Sequence, residues 1–196
     1  LVGSEMCIRD SEIHADLVLP GHRFTPFATV VGDTGVAWAA LHGPIKTFGL
    51  AGLADTFIVT DHEPTAEAFG ARSGQLHLTR NNVVGMAATF AAYTGAEAWV
   101  DGLLETVADN VRLLTEELPD PIRLVEPEAT YLAWLDLRGL GLDVPELAGW
   151  LADEAGLALS PGHWFGREGA GFARMSIGVE PAIIEEAIGR LTAAVG

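Results

Sequence analysis

The sequence has one cysteine, Cys7, and one lysine, Lys46, among its 196 residues. A single cysteine excludes an intrachain disulfide framework and a zinc site built from cysteines. Basic residues are scarce, because 11 lysines and arginines stand against 27 acidic residues and leave a formal net charge of −16. Such an acidic chain does not bind nucleic acid or anionic membranes through bulk charge. We therefore expect a cytoplasmic protein with neither as a partner.

Long apolar runs and metal-ligand spacings are also missing. The longest stretch without a charge, residues 81–96, is too short and too polar for a membrane span. The six histidines have no spacing typical of metal ligands, so we predict no metal site. What the chain does have is 49% apolar and only 19% charged residues, a composition that excludes a disordered protein.

The first residues differ in character from the rest. Residues 1–11 have no clean period of two or 3.6, and we interpret them as a non-native leader. An ordinary frayed terminus is the alternative. From Glu12 the pattern becomes regular, and it predicts a strand over 12–19 that ends at Pro20.

The remaining pattern predicts an α/β unit followed by a smaller α+β unit. In the first unit, apolar runs at 36–41 and 56–60 indicate buried strands, and Asn81 or Asn82 caps a helix through Tyr93. Apolar residues spaced by three and four predict a long helix from Val100 to Leu118. Further strands are predicted over 122–126, 131–137, 157–160 and 172–177, with helices around 147–151 and from Pro181 onward.

Lys46 is the first candidate functional residue. It lies among apolar residues and glycines directly after a predicted buried strand, whereas a surface lysine usually has polar company. Apolar surroundings disfavour the charged form of a lysine, and the neutral amine is the nucleophile that Schiff-base chemistry requires. A lysine that extends to solvent from a strand end is the structural alternative.

Arg174 and His14 are weaker candidates. Arg174 lies inside an apolar strand without an acid beside it, so its partner is either a bound carboxylate or a distant acid of the chain. His14 lies on the predicted strand 12–19, where a lone histidine is more often a satisfied core residue than a functional one.

Four segments carry a resemblance to a known family. They are EIHADLVLPG at 12–21, KTFGLAGL at 46–53, EPEATYLAWLDLRGLGL at 126–142 and PGHWFGREGAGFARMSIG at 161–178. Together, over residues 12–196, they resemble the C-terminal half of a fold-type I pyridoxal-phosphate enzyme of the class I/II aminotransferase superfamily. The resemblance is strongest to the carbon–sulfur β-lyases of the MalY and PatB branch. It implies the C-terminal part of a large α/β domain over 12–105, and a small α+β domain over 106–196.

The resemblance also implies roles for single residues. Lys46 falls where the family lysine carries pyridoxal phosphate and moves the Cα proton of the substrate. Arg174 falls on the arginine that binds the substrate α-carboxylate, and His14 falls near the phenolic oxygen of the cofactor. Family members are homodimers, so the resemblance implies a homodimer for the full-length protein.

Two positions depart from the family pattern. Ser11 stands where the family has an aspartate that pairs with the pyridine nitrogen, and Asp10 is one residue out of register. Gly43, Pro44 and Ile45 stand where the family tends to have serines, one of which contributes to phosphate binding. The first departure predicts a ring nitrogen that is not kept protonated, and the second predicts weaker binding of the cofactor phosphate.

Family members are about twice as long as this chain, so the resemblance implies a fragment with little activity of its own. Three functions stay open. The first is a β-lyase of cystathionine or cysteine S-conjugates that releases a thiol, pyruvate and ammonia. The second is an aminotransferase of amino acids on the same fold, and the third is an inactive chain that serves as an interaction module.

Overall fold

The structure is a computed structural model that describes residues 8–32, 34–53, 56–78 and 82–196. The described residues form two compact units. The first contains residues 8–18 and 23–101, and the second contains residues 19–22 and 102–196. The division at 101/102 and the predicted boundary at 105/106 both fall within one long helix.

The first unit combines a small mixed sheet with helices. Its elements are β1 (Ile8–Ser11), α1 (Phe27–Val31), β2 (Trp38–His42), β3 (Phe57–Val59), α2 (Glu63–Gln75), α3 (Val83–Gly95) and the start of α4 (Glu97–Glu117). Strand β2 is central, parallel to β1 and antiparallel to β3. The two strands predicted over 36–41 and 56–60 are confirmed, and so is the helix capped by Asn82, whose side chain accepts a hydrogen bond from the Val84 N–H at 3.0 Å.

The strand predicted over 12–19 is wrong. The strand here is β1, which ends at Ser11, and residues 13–16 form a turn with backbone hydrogen bonds from Ala15 to Glu12 and from Leu17 to His14, each 3.0 Å long. The alternating pattern predicts that its polar positions, Glu12 among them, face solvent. Glu12 is instead buried, so the alternation is misleading here. Strand β1 lies within residues 1–11. Any residue other than proline can pair through its backbone, so this strand does not test whether residues 1–11 are a non-native leader. The leader remains a prediction.

The second unit is a four-stranded antiparallel sheet covered on one face by helices. It contains the rest of α4, then β4 (Arg123–Val125), β5 (Leu132–Asp136), α5 (Val144–Gly149), β6 (Ser160–Pro161), β7 (Phe172–Ser176) and α6 (Pro181–Val195). The strand order is β4-β5-β7-β6. Alternate residues of β5 and β7, such as Ala133, Leu135 and Ala173, are fully buried in the core.

The predicted helix over 100–118 is confirmed as α4, which buries Val107 and Leu114. A polar residue on the same stripe is also buried, because Asn110 donates hydrogen bonds to the carbonyls of Ile177 (2.9 Å) and Val179 (2.8 Å). The strand predicted over 157–160 is wrong in extent. It shrinks to β6, and Leu157 instead donates its backbone N–H to Leu151 at 2.8 Å.

Candidate active site

The candidate site in the first unit lies where two parallel strands end. The backbone N–H of Glu12, just after β1, donates to the Leu41 carbonyl of β2 at 3.0 Å. Each strand then leads into a tight turn, residues 13–16 after β1 and residues 44–47 after β2. The carboxyl edge of parallel strands is the usual place for ligands in α/β proteins. His14 lies in the first of these turns and Lys46 in the second, and both are half-buried.

A side-chain hydrogen bond joins the two turns. Thr47, next to Lys46, is fully buried and donates its hydroxyl to a carboxylate oxygen of Asp16 at 2.9 Å. Asp16 lies in the turn that contains His14. The backbone next to Lys46 is therefore fixed to the His14 turn, although the two are far apart in the sequence.

A buried acid fixes the strand ends themselves. Glu12 is 5% exposed, and both of its carboxylate oxygens have partners. One oxygen accepts the backbone N–H of Phe27 at 2.6 Å, and the other pairs with Nε2 of His42 at 2.7 Å. The His42 ring in turn stacks on Phe57, with ring centroids 5.7 Å apart. Glu12 thus connects the end of β1, the end of β2 and the start of α1.

Aromatic rings fix the other side of the Lys46 turn. Phe48 meets Tyr93 edge to face at 5.6 Å and stacks on Trp99 at 6.0 Å, measured between ring centroids. Burial, and secondarily the negative charge of Asp16, raise the pKa of the Tyr93 hydroxyl. Lys46 therefore projects from a backbone that is anchored by Thr47 and Phe48.

The Lys46 amine has no acidic partner among the residues that the structure describes. Ser11, the last residue of β1, is exposed and lies opposite Leu41 of β2.

Arg174 belongs to the second unit. It lies on β7 in register with Trp134 of β5 and Ser160 of β6, on the sheet face opposite the core. Its guanidinium carbon lies 4.5 Å from the ring centre of Phe165, and one of its nitrogens lies 3.5 Å from the Ser160 hydroxyl. Within the described ranges no carboxylate forms an ion pair with it. The alternative of a distant acid as its partner therefore finds no support in this part of the chain.

A second arginine, Arg138, lies in a short helical turn just after β5 and is paired with an acid. Nε of Arg138 donates to one carboxylate oxygen of Asp136 at 2.9 Å, and Nη2 donates to the other at 2.6 Å. The Arg138 guanidinium also lies 4.7 Å from the ring centre of Phe172. The hydrogen bond from Arg138 is the main reason why the pKa of Asp136 lies below its usual range.

This pair gives a pH prediction. A lowered pKa in the folded state means that the pair stabilises the fold above the ordinary pKa of an aspartate, and that this stabilisation is lost as the pH falls through the lowered value. In Arg138→Gln we expect the Asp136 pKa to rise toward its ordinary range, since the charged donor is gone. Carbon NMR of the Asp136 carboxyl against pH measures this, and an unchanged midpoint would contradict it.

Sequence reasoning missed four residues that shape the surroundings of His14, Lys46 and Arg174. They are Glu12, Asp16, Thr47 and Phe165. All four lie within the quoted motifs, but their partners lie up to 31 residues away. Among the described residues no group of three or more His, Cys, Asp or Glu side chains could hold a metal ion. No helix in the same residues is long and apolar enough to cross a membrane.

Comparison with known proteins extends this picture, although no family model matches the chain. Cystathionine beta-lyase PatB of Bacillus subtilis is 32% identical over 200 residues, which cover 97% of this chain and 51% of PatB. Protein MalY of Escherichia coli is 30% identical over 189 residues, which cover 94% of this chain and 47% of MalY. The chain thus spans about half the length of the curated relatives it matches.

Solved structures agree with the sequence relatives. A pyridoxal-phosphate-bound putative aminotransferase from Clostridium difficile has a TM-score of 0.90 at 30% identity, over 97% of this chain and 50% of that one. Cystalysin from Treponema denticola has a TM-score of 0.87 at 27% identity, over 98% of this chain and 50% of that one. The chain has the fold of the pyridoxal-phosphate enzymes of fold type I.

Within that class it corresponds to the C-terminal half of the enzyme, and in sequence it resembles the MalY and PatB branch. The predicted fold class and family resemblance are confirmed. The roles inferred for Ser11, His14, Lys46 and Arg174 remain predictions.

Proposed function

We propose that this chain is the C-terminal half of a pyridoxal-phosphate-dependent carbon–sulfur β-lyase that acts on cystathionine or on cysteine S-conjugates. The observation that carries the proposal is the position of Lys46. It is the only lysine of the sequence, and it lies half-buried at the carboxyl edge of two parallel strands without an acidic partner in the described residues. The similarity to PatB, whose name is cystathionine beta-lyase, supports the choice of reaction.

The residues of the first unit fit pyridoxal phosphate in part. A lysine amine with no acidic partner in the described ranges, beside a turn that contains a histidine, suits a cofactor that bonds covalently to a lysine. Lys46 would hold it covalently, with His14 near its phenolic oxygen and Ser11 near its ring nitrogen. When bound, the cofactor supplies an aldehyde for the amine and a ring that accepts the electron pair left at Cα. The Ser11 hydroxyl is the weak point, because it carries no charge to hold a proton on the ring nitrogen.

The chain's own residues then have distinct tasks. The Lys46 amine takes the proton from the substrate Cα as a general base. The Arg174 guanidinium holds the substrate carboxylate through charge-assisted hydrogen bonds. The overall reaction breaks the Cβ–S bond and consumes one water, and it yields the thiol, pyruvate and ammonia from each S-substituted cysteine.

An aminotransferase is the second candidate, because curated relatives at lower identity carry that name. The LL-diaminopimelate aminotransferase of Desulforudis audaxviator is 27% identical over 93% of this chain and 46% of its own length. The same lysine and arginine would serve, but the substrate nitrogen would pass to a keto acid instead of being released. The third candidate, an interaction module without catalysis, draws its support from Ser11 and Gly43.

Two measurements test the proposal. The purified chain is mixed with pyridoxal phosphate, reduced with borohydride and digested, and mass spectrometry then shows whether Lys46 carries the cofactor. Turnover is measured on this chain joined to the N-terminal half of PatB, as pyruvate released from cystathionine without a keto acid. Adduct and pyruvate together support the lyase. An adduct with turnover only in the presence of a keto acid supports the aminotransferase, and no adduct in either protein supports the module.

Ser11→Asp gives a further prediction. The aspartate restores the charge that the family places at the ring nitrogen, and one charge-assisted hydrogen bond contributes about 1.5–3 kcal/mol. We expect the variant to bind pyridoxal phosphate about tenfold more tightly, measured by absorbance titration of the chain. Ser11→Asn, which has the same shape without the charge, is the matched control. Equal affinities for Ser11→Asp and Ser11→Asn would refute the argument.

A further inference from the structure

Arg174 and Arg138 have similar aromatic contacts, but only Arg138 has an acidic partner among the described residues. Arg174 and Arg138 each lie over a phenylalanine ring, at 4.5 Å from Phe165 and 4.7 Å from Phe172. In both cases the guanidinium carbon lies over the face of the ring, and the attraction between cation and ring favours this position. The N–H donors at the edge of the plane stay available for a carboxylate.

At Arg138 the edge is occupied. Asp136 accepts hydrogen bonds from Nε and from Nη2 of Arg138 in the bidentate geometry that guanidinium and carboxylate groups favour. At Arg174, which lies at a similar distance from its own ring, no carboxylate among the described residues forms an ion pair. Arg174 does have a polar contact with the Ser160 hydroxyl, at 3.5 Å the longest distance at which a hydrogen bond forms. The arrangement at Arg174 is thus that of Arg138 without its acid.

The ring over Arg174 is itself supported. Phe165 ends a short helical turn, Gly162–Phe165, and meets Trp134 edge to face with ring centroids 5.6 Å apart. Trp134 stacks on Phe172 at 5.7 Å, so the three rings contact one another in sequence on the sheet face opposite the core. Gly162 anchors the turn, because a Cβ there would overlap the backbone oxygen of Gly169. Phe165 therefore approaches Arg174 from an anchored turn.

We propose that Phe165 is a positioning residue for carboxylate recognition: its ring fixes the plane of the Arg174 guanidinium so that a ligand carboxylate binds edge-on, as Asp136 does at Arg138. The proposal rests on the proposed function only in taking Arg174 as the carboxylate-binding arginine. It predicts that the aromatic character of residue 165, and not only its bulk, sets the affinity for the carboxylate.

The test uses the 196-residue chain itself and needs no cofactor. The Nε–Hε resonance of Arg174 is followed by nitrogen NMR while S-ethyl-L-cysteine is added, and its uncharged amide, S-ethyl-L-cysteinamide, is the control ligand. Phe165→Leu keeps an apolar side chain without a ring, and Phe165→Tyr keeps the ring. Phe172→Leu removes the equivalent ring at Arg138. Because Phe165 is 51% exposed, the Phe165 variants are expected to fold, and their amide spectra check this.

We expect Phe165→Leu to weaken carboxylate binding about three- to fivefold, the range of an exposed cation–ring contact. Phe165→Tyr should bind as the original chain does, and Phe172→Leu, which reaches Arg174 only through Trp134 and Phe165, should weaken binding less than Phe165→Leu does. The proposal is overturned if Phe165→Leu binds normally, if Phe172→Leu weakens binding equally, or if the amide shifts the resonance as much as the carboxylate does. Borohydride trapping at Lys46 is expected to be the same in all these variants. A missing adduct would therefore count against the proposed function and leave the inference about Phe165 standing.

Discussion

Lys46→Ala is expected to abolish the covalent cofactor adduct and to lower pyruvate release by about three to four powers of ten in the protein joined to the PatB half. The variant loses both the nucleophile that holds the cofactor and the base that moves the Cα proton, and general base catalysis alone contributes about 10²–10⁴-fold. Mass spectrometry after borohydride reduction, together with a pyruvate assay, measures the two losses separately.

Lys46→Arg is the matched control. Arginine keeps the positive charge and most of the length, but its guanidinium remains protonated and cannot attack an aldehyde. We expect it to behave like Lys46→Ala in both assays. The chain has no other lysine, so a cofactor adduct on any lysine side chain can only be at Lys46. An adduct of undiminished yield in either variant, on the chain's terminal amine for example, would contradict the assignment.

The elements that the sequence predicts well are those with local patterns. The 4-3-4 spacing of α4 and α6 buries Leu114, Ile184 and Ile188 as expected, because a helix stripe depends only on residues a turn apart. Strands β5 and β7 follow their apolar alternation for the same reason, with Ala133 and Ala173 inward. The apolar surroundings of Lys46 and Arg174 already make both residues candidates, and the family resemblance adds the cofactor and a specific role for each.

The sequence predicts less well where long-range hydrogen bonds override the local pattern. Residues 12–19 alternate as a strand does, but Glu12 bonds to His42 and to the start of α1, and Asp16 bonds to Thr47. Such partners lie 15 to 31 residues apart in the chain, and no local spacing indicates them. The turn that contains His14 is therefore visible only in three dimensions. The pairing of Phe165 with Arg174 is hidden for the same reason, since the two lie on different elements.

Glu12→Ala is expected to lower the free energy of unfolding of the first unit by about 1–3 kcal/mol for each hydrogen-bonding group that it leaves without its partner, the usual cost at a buried site. The substitution leaves the Nε2 of His42 without its acid. It also leaves the Phe27 N–H, at the start of α1, without a side-chain acceptor, since the preceding Pro26 provides no side-chain cap. Whole domains are stable by only about 5–15 kcal/mol, so the first unit should lose much of its structure.

Hydrogen exchange of the β2 amides in increasing denaturant measures this change unit by unit. Glu67→Ala is the matched control, because Glu67 is exposed on α2 and a surface substitution of this kind changes stability by less than about 0.5 kcal/mol. Equal exchange in the two variants would show that the Glu12 contacts do not hold the strand ends.

A double-mutant cycle separates the two contacts of Glu12. Combining Glu12→Ala with His42→Ala removes the acid and its partner together, so the double variant should be less destabilised than the sum of the single ones. His42→Ala leaves the hydrogen bond from the Phe27 N–H to Glu12 intact. The destabilisation that Glu12→Ala causes in the His42→Ala background therefore measures this second contact. If the two substitutions simply add, the contact between Glu12 and His42 contributes nothing of its own. The end of β1, and with it the turn that contains His14, would then depend on the contact with α1.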